Sequence, residues 1–322
     1  MAVPGATLKF DPFQGAVFDL RFASDDRWLT PLEDSDAPGP DRPAPGAWSV
    51  AGRAEGPFLR PGDAASQGIP WIVEELVQTR NAVAGRFTLG CRPKGARVER
   101  ELCLHGNVPL LYQSHWLSGG RGRFPVTHPA FLRLSGGDLL CLSPKRPGAI
   151  ARGADGRERD LDLAEFATGE GAIQLDPFDL PGGAATCIRC VEATGQALAW
   201  TAVMRAGPQD IVFLLKDATS LPVTMFSVSA GARDDPAASR RNRMLGLTDA
   251  RCPSRKGGGH GAGHLELAPD RCHMIRHVIG AIPRPAAWRS VRDIHLDEAS
   301  LIIHGDRGAP VVLPFEPEFF AA

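Results

Sequence analysis

Residues 110–134 read LLYQSHWLSGGRGRFPVTHPAFLRL, and this stretch decides the fold that the sequence predicts. Two apolar segments lie on either side of the turn-forming sequence Gly119-Gly120-Arg121-Gly122. Apolar runs of strand length that end at glycine-rich turns are typical of antiparallel β-structure. We therefore expect two neighbouring strands here, paired like a hairpin, with alternate side chains on opposite faces.

The rest of the chain repeats this pattern. Short apolar runs alternate with turns, and the 36 glycines and 28 prolines recur between those runs throughout the 322 residues. Residues 71–83 come nearest to a helical pattern, but their Val-rich pairs favour a strand. Sandwiches of this size occur as single units, and no linker stands out. The sequence predicts an all-β protein, a large antiparallel β-sandwich that forms a single domain over residues 1–322.

Composition narrows the possible partners. Apolar residues make up 43% of the chain and charged residues 23%, with a net charge of −1. A nearly neutral chain argues against nucleic acid or anionic lipid as a partner and favours a small or neutral ligand. The sequence has no apolar run of about 18 residues for a membrane span, and its first residues lack the order of a signal peptide. We expect a cytoplasmic location, and the oligomeric state stays open.

Cysteine and histidine spacing does not predict a metal site. The seven cysteines are odd in number and scattered, and alternation along a strand would turn Cys187 and Cys190 to opposite faces. A group of possible zinc ligands lies near the C-terminal end of the sequence and comprises His260, His264, Cys272, His273 and His277. Glycines disfavour a helix between the first two, and His273 and His277 on one strand would lie about 13 Å apart. We expect no metal and no cofactor.

The opening stretch holds the best candidate for a catalytic residue, His128. A strand pair would place it near His115 or Trp116, whichever shares its face, with Arg133 as a basic neighbour. Imidazole titrates near neutrality and can transfer a proton to an oxygen of a sugar-like ligand, while a tryptophan offers a stacking surface. A structural role for a histidine in a strand is the alternative.

A second candidate feature is the proline-rich segment at 34–62, which can sustain neither a helix nor a central strand. Long loops inside compact proteins are often functional covers. Aromatic residues lie within the segment, and Trp71 comes just after it. We interpret the segment as a cover over a ligand site, with Trp71 as a ligand contact.

Residues 126–136, VTHPAFLRLSG, resemble the N-H-x-Y-F-N-L segment of galactose mutarotase (aldose 1-epimerase) relatives. The likeness extends from Val98 to the end of the chain. It includes LYQ at 111–113, LSPK at 142–145 and LPVTM at 221–225, which resemble a bacterial branch of mutarotase-like proteins.

This resemblance implies a large antiparallel β-sandwich with a sugar bound in a cleft on the concave sheet. In that family a histidine protonates the ring oxygen and a glutamate takes the proton of the anomeric hydroxyl, so that the ring opens and recloses with C1 inverted. His128 matches the histidine. The family's glutamate follows a Leu-Gly-x sequence, whereas here Leu245-Gly246-Leu247 leads to Thr248 and then Asp249. Asp249 could serve as the base only if the strand ends or bulges there, because a one-residue slip reverses the face.

Two functions therefore remain open. The first is an aldose 1-epimerase-like protein that binds a free sugar or sugar derivative. The alternative is a catalytically silent carbohydrate-binding or regulatory protein that has lost the glutamate. The residues expected to act are His128 and Asp249 in catalysis and His115, Trp116, Trp71 and Arg133 in substrate binding. A metal-dependent enzyme built on the late histidines and cysteines is a third, weaker interpretation.

Overall fold

The computed structural model describes residues 1–13, 15–25, 27–32, 70–153, 157–163, 171–175, 187–229, 243–251 and 263–321. The proline-rich segment at 34–62 and His260 lie outside these residues. Within them, helical structure is limited to short 3-10 turns such as Pro93–Gly95. Among the same residues there is no helix with the length and apolarity that a membrane span requires.

Twenty-four strands make up the described part of the chain. In chain order they are β1 Ala2–Val3, β2 Ala6–Asp11, β3 Ala16–Ser24, β4 Arg27–Leu29, β5 Trp71–Gln78, β6 Ala82–Leu89, β7 Ala96–His105, β8 Leu110–Gly119, β9 Gly122–Phe124, β10 Val126–Arg133, β11 Leu139–Leu142, β12 Ala149–Arg152, β13 Glu158–Leu161, β14 Ile173–Gln174, β15 Cys187–Val191, β16 Leu198–Arg205, β17 Asp210–Asp217, β18 Val223–Ser229, β19 Met244–Arg251, β20 Leu265–Leu267, β21 Cys272–Pro283, β22 Val291–Asp297, β23 Ser300–Gly305 and β24 Val311–Pro314.

Three sheets are stacked as layers. The central sheet has nine strands in the order β14-β11-β16-β17-β21-β8-β7-β6-β5. The front sheet has six strands in the order β10-β19-β18-β15-β12-β13, and the back sheet contains β22, β23 and β24. A four-stranded sheet, β1 to β4, and the β9–β20 pair complete the described sheets. Every pairing between these strands is antiparallel, which confirms the predicted all-β fold, a large antiparallel β-sandwich.

The alternation of side chains along each strand explains the layers. Leu214 of β17 and Leu111 of β8 face the front sheet, where they join one core with Leu247 of β19. The intervening residues of the same central strands, among them Phe213, face the opposite way and pack with Leu301 of the back sheet. Full burial of each such side chain contributes about 1.5–3 kcal/mol, so the central sheet is held from both sides.

The prediction that residues 110–117 and 126–134 pair as a hairpin is wrong. Strand β8 lies in the central sheet between β7 and β21, whereas β10 lies in the front sheet beside β19. The glycine turn leads into the short strand β9 and then into β10, so that the chain passes from one sheet to the other. Gly120 has a φ of +79°, and a Cβ there would lie 2.9 Å from the Ala96 nitrogen. The turn therefore requires glycine.

Candidate functional site

A group of polar and charged side chains lies inside the core between the front and central sheets. We call it the polar core cluster, and its members are Arg100, Gln113, His115, His128, Glu192, Lys216, Thr224, Asp249 and His277. Each of these residues is at most 3% exposed to solvent. Strand alternation directs them inward, as with Lys216, which follows the core residues Val212 and Leu214 on the same face of β17.

Lys216 is the centre of a buried ion-pair chain. Its Nζ lies 2.8 Å from Glu192 Oε1 and 2.7 Å from Asp249 Oδ1. It also donates hydrogen bonds to the Val223 carbonyl and the Thr224 hydroxyl. Burial alone would lower the pKa of the Lys216 ammonium, but the two carboxylates outweigh burial and raise it. The ammonium therefore stays charged at neutral pH, as a buried pair of carboxylates requires.

Asp249 links this ion-pair chain to His277. Asp249 Oδ2 lies 3.0 Å from His277 Nε2, so the imidazole N–H donates a hydrogen bond to the carboxylate. Burial tends to raise the pKa of Asp249, but Lys216 and the His277 hydrogen bond together hold it far below its usual range. The other ring nitrogen, Nδ1, faces the Gln113 amide at 3.5 Å, and Arg100 fixes that amide through its oxygen at 2.6 Å. His277 is therefore oriented from both sides.

His128 lies directly on His277. The two rings are stacked with centroids 3.9 Å apart and planes 19° apart, and the His115 ring approaches edge-on at 5.5 Å. Burial, and then the neighbouring His277, His115 and Arg100, hold the pKa of His128 well below 6.5, so the imidazole is neutral near pH 7. Neither of its ring nitrogens has a hydrogen-bond partner on another described residue. A buried polar group without a partner costs about 1–3 kcal/mol, and such groups are concentrated at functional sites.

Asp249 reaches this cluster without the bulge that the sequence analysis required. Strand β19 pairs in regular register with β10 and β18, and Asp249 lies opposite both His128 and Thr224. Its side chain faces the core because Leu245 and Leu247, on the same face, do so as well. The inward position after the Leu-Gly-Leu sequence is therefore Asp249, and Asp249 needs neither a strand end nor a bulge to face the core.

The structure brings three of the expected site residues together, namely His128, His115 and Asp249. Trp116 lies on the other face of β8, under the Arg86 guanidinium at 5.9 Å. Trp71 is buried on β5, three strands from β8, which corresponds to about 14 Å. Arg133 is exposed at the end of β10 and lines a separate cavity of about 340 Å³ with Trp28 and Arg205.

Sequence reasoning missed several members of the cluster. The sequence predicts His277 only as a possible metal ligand, and it assigns no site role to Lys216, Glu192, Gln113 or Arg100. A signal was present in β17, where a lysine follows five apolar residues at a position that alternation turns inward. A charged residue at an inward position of a buried strand predicts a buried partner of opposite charge.

The fold agrees with that of solved mutarotase-like proteins. A suggested mutarotase from Salmonella typhimurium superposes with a TM-score of 0.61 at 9% identity, over 88% of this chain and 90% of the other. A galactose mutarotase related enzyme from Lactobacillus acidophilus gives 0.56 at 9% identity, over 89% and 97%. A galactose mutarotase-like protein from Clostridium acetobutylicum gives 0.55 at 10% identity, over 88% and 94%. No protein-family model and no curated protein sequence matches the chain. The chain therefore has the galactose mutarotase-like fold.

The buried neutral histidines predict a loss of stability in mild acid. Burial lowers the pKa of both His128 and His115, so below pH 6.5 the unfolded chain binds protons that the folded chain does not. Their contribution is complete above pH 6.5 and is lost as the pH falls toward the lowered folded values. Each histidine should remove about 1.4 kcal/mol per pH unit. In His128→Gln the fall should therefore be shallower by about that amount.

Urea denaturation of the wild type and of His128→Gln, from above pH 6.5 down to about pH 5, measures this difference. Parallel curves for the two proteins would contradict a neutral, buried His128. The exposed His295, which is stacked on His304, supplies the control variant His295→Gln. Its curve should follow that of the wild type.

Proposed function

We propose that the protein is an aldose 1-epimerase-like isomerase that opens and recloses the ring of a free sugar at the polar core cluster. One observation carries the proposal. The imidazole of His128, neutral and without a partner on another described residue, is stacked on His277, whose ring is held by Asp249. The mutarotase-like fold supports the same reaction class, although fold alone does not define function.

Ring opening needs an acid and a base close together. The ring oxygen and the anomeric hydroxyl oxygen of an aldose are bonded to the same carbon, C1, so one small group of side chains must reach both. The stacked rings of His128 and His277, 3.9 Å apart, present two imidazole edges side by side. General acid and base groups must come within hydrogen-bond reach of these oxygens in the bound complex.

The charges around the two rings favour distinct roles. A neutral His128 has a lone pair that can take the proton of the anomeric hydroxyl. The carboxylate of Asp249, 3.0 Å from His277 Nε2, orients the His277 ring, and we assign that ring as the acid that gives a proton to the ring oxygen. The bond from C1 to the ring oxygen then breaks and C1 becomes a carbonyl carbon. After rotation about the bond between C1 and C2, reclosure returns both protons.

This assignment reverses the roles that the resemblance implies. Asp249 is a weak base because Lys216 and His277 hold its pKa far below the usual range, and both of its oxygens already accept hydrogen bonds or ion pairs. We therefore assign it as a positioning residue that orients His277. Because His128 and His277 are 0% exposed, a sugar reaches them only if the residues that cover them move apart.

A second candidate function is sugar binding without catalysis. The ion pairs of Lys216 with Asp249 and Glu192 favour this candidate. Because both carboxylates are paired, neither is free to act as the base that the mutarotase family's glutamate provides. A protein that retained the fold and bound a carbohydrate could serve as a regulator. Both candidates act on a small carbohydrate, and a cytoplasmic location remains a prediction.

Polarimetry with fresh α-glucose and α-galactose separates the two candidates. An isomerase should speed the approach to the anomeric equilibrium above the buffer rate in proportion to enzyme concentration. A silent binding protein should leave that rate unchanged while calorimetry detects sugar binding. If a panel of free aldoses neither binds nor equilibrates faster, the proposed function is wrong.

A further inference from the structure

A second cluster of reactive side chains lies on the other side of the central sheet. Cys103 and His105 are two residues apart on β7 and therefore share a face, and Glu316 follows the last strand, β24. Cys103 packs against the core between the central and back sheets. The side chains of His105 and Glu316 are 30% and 45% exposed, so small ions can reach them from solvent.

The three ligand atoms converge on one point. Cys103 Sγ lies 3.4 Å from His105 Nε2, and the same nitrogen lies 2.6 Å from Glu316 Oε1. All three atoms lie within 4.8 Å of one another. A single imidazole N–H can point at only one acceptor, so a hydrogen bond explains one of these contacts but not both. A cation between the three atoms would satisfy all of them.

The chemistry of the three atoms fits a borderline-soft divalent metal. Thiolate, imidazole and carboxylate are the usual protein ligands of zinc, with metal–ligand distances of about 2.0–2.3 Å. Tetrahedral geometry then places ligand atoms about 3.3–3.7 Å apart, so the His105–Glu316 contact must lengthen by about 1 Å or less, and Cys103 and Glu316, within 4.8 Å of each other, need at most a similar adjustment. A thiolate and a carboxylate together neutralise a divalent charge, and a water molecule can complete the four ligands.

We propose that Cys103, His105 and Glu316 form a Zn²⁺ site that fastens the C-terminal segment to β7. Glu316 is already oriented, because its backbone N–H donates to the Tyr112 hydroxyl at 3.2 Å. The Tyr112 ring also meets the His105 ring edge-on at 5.5 Å. Tyr112 therefore helps to hold Glu316 and His105 in place, as residues around metal ligands commonly do.

This site is independent of the polar core cluster. Leu102 and Leu104, which alternate with Cys103 and His105 on β7, pack in the core that faces the front sheet. The metal ligands therefore point away from His128 and His277. The competing explanation is a metal-free ion pair, in which Cys103 and then Glu316 raise the pKa of His105 to about 10.

Cobalt titration of the reduced protein distinguishes the two explanations. Co²⁺ substitutes for Zn²⁺ and gives a thiolate-to-cobalt charge-transfer absorption only when a cysteine is a ligand. We expect this absorption to saturate at one Co²⁺ per chain and to be displaced by Zn²⁺. Cys103→Ser should abolish the absorption, and Glu316→Gln should weaken Co²⁺ binding at least tenfold. Because the Glu316 side chain is about half-exposed, that variant should fold.

The matched control is Cys272→Ser, which removes an exposed thiol elsewhere in the chain. Its cobalt spectrum and affinity should equal those of the wild type. Failure of the wild type to give a charge-transfer absorption would overturn the proposal, as would a Cys103→Ser protein with an unchanged spectrum. In either case His105 and Glu316 form an ion pair only.

Discussion

Replacement of Lys216 by methionine is expected to lower the free energy of unfolding by about 3–5 kcal/mol. Methionine has a similar length but removes the ammonium that lies 2.8 Å from Glu192 and 2.7 Å from Asp249. Glu192 would keep its ion pair with Lys145, 2.6 Å away, but Asp249 would lose its ammonium partner, and burial would then favour protonation of the Asp249 carboxylate. Loss of one partner from a buried ion pair is far more destabilising than loss of an exposed one.

Urea unfolding at neutral pH measures this loss, with Lys9→Met as the matched control. Lys9 pairs with Asp19 at 2.9 Å, but its side chain is 65% exposed, so its replacement should cost less than about 1 kcal/mol. The difference between the two variants is the expected signature of a buried ion-pair chain. Equal, small losses in both would show that Lys216 is not the electrostatic centre of the core.

Much of the fold was predictable from local sequence. Strand-length apolar runs between glycine and proline turns predict antiparallel sheets, and the structure confirms them. The assignment of strands to sheets was harder to predict, because no local sequence pattern indicates which sheet a strand joins. The 110–134 stretch shows this, since β8 and β10 follow each other closely but lie in different sheets. His115 and His128 therefore meet across the core and not across a hairpin.

The candidate site was predictable only in part for a related reason. His128 stood out through its own chemistry, but its partners come from strands that are distant in sequence. His277 stacks on it from β21, and Lys216 reaches Asp249 from β17. The proposed metal site also depends on a long-range contact, because two of its ligands lie on β7 and the third, Glu316, lies more than 200 residues later in the sequence. Single-sequence patterns do not specify such long-range contacts.

The replacement of His128 by glutamine is expected to reduce sugar anomerisation by about 10²–10⁴-fold, the usual contribution of general acid–base catalysis. Glutamine is uncharged and similar in size, so the core should stay folded, but it cannot take a proton from the anomeric hydroxyl. The exposed His295, which pairs with Asp293, supplies the control His295→Gln. That control should turn over aldoses at the rate of the wild type.

Exchange NMR of α and β anomers at equilibrium tests most directly the claim that His128 catalyses ring opening, because it measures the rate at which the two anomers interconvert. It is applied to wild type, His128→Gln and His295→Gln, with a thermal melt of each protein. We predict rapid exchange with wild type and His295→Gln, and exchange near the buffer rate with a folded His128→Gln. Wild-type exchange that persists undiminished in His128→Gln would contradict a catalytic role for His128, and the buried histidine would then be a part of the core alone.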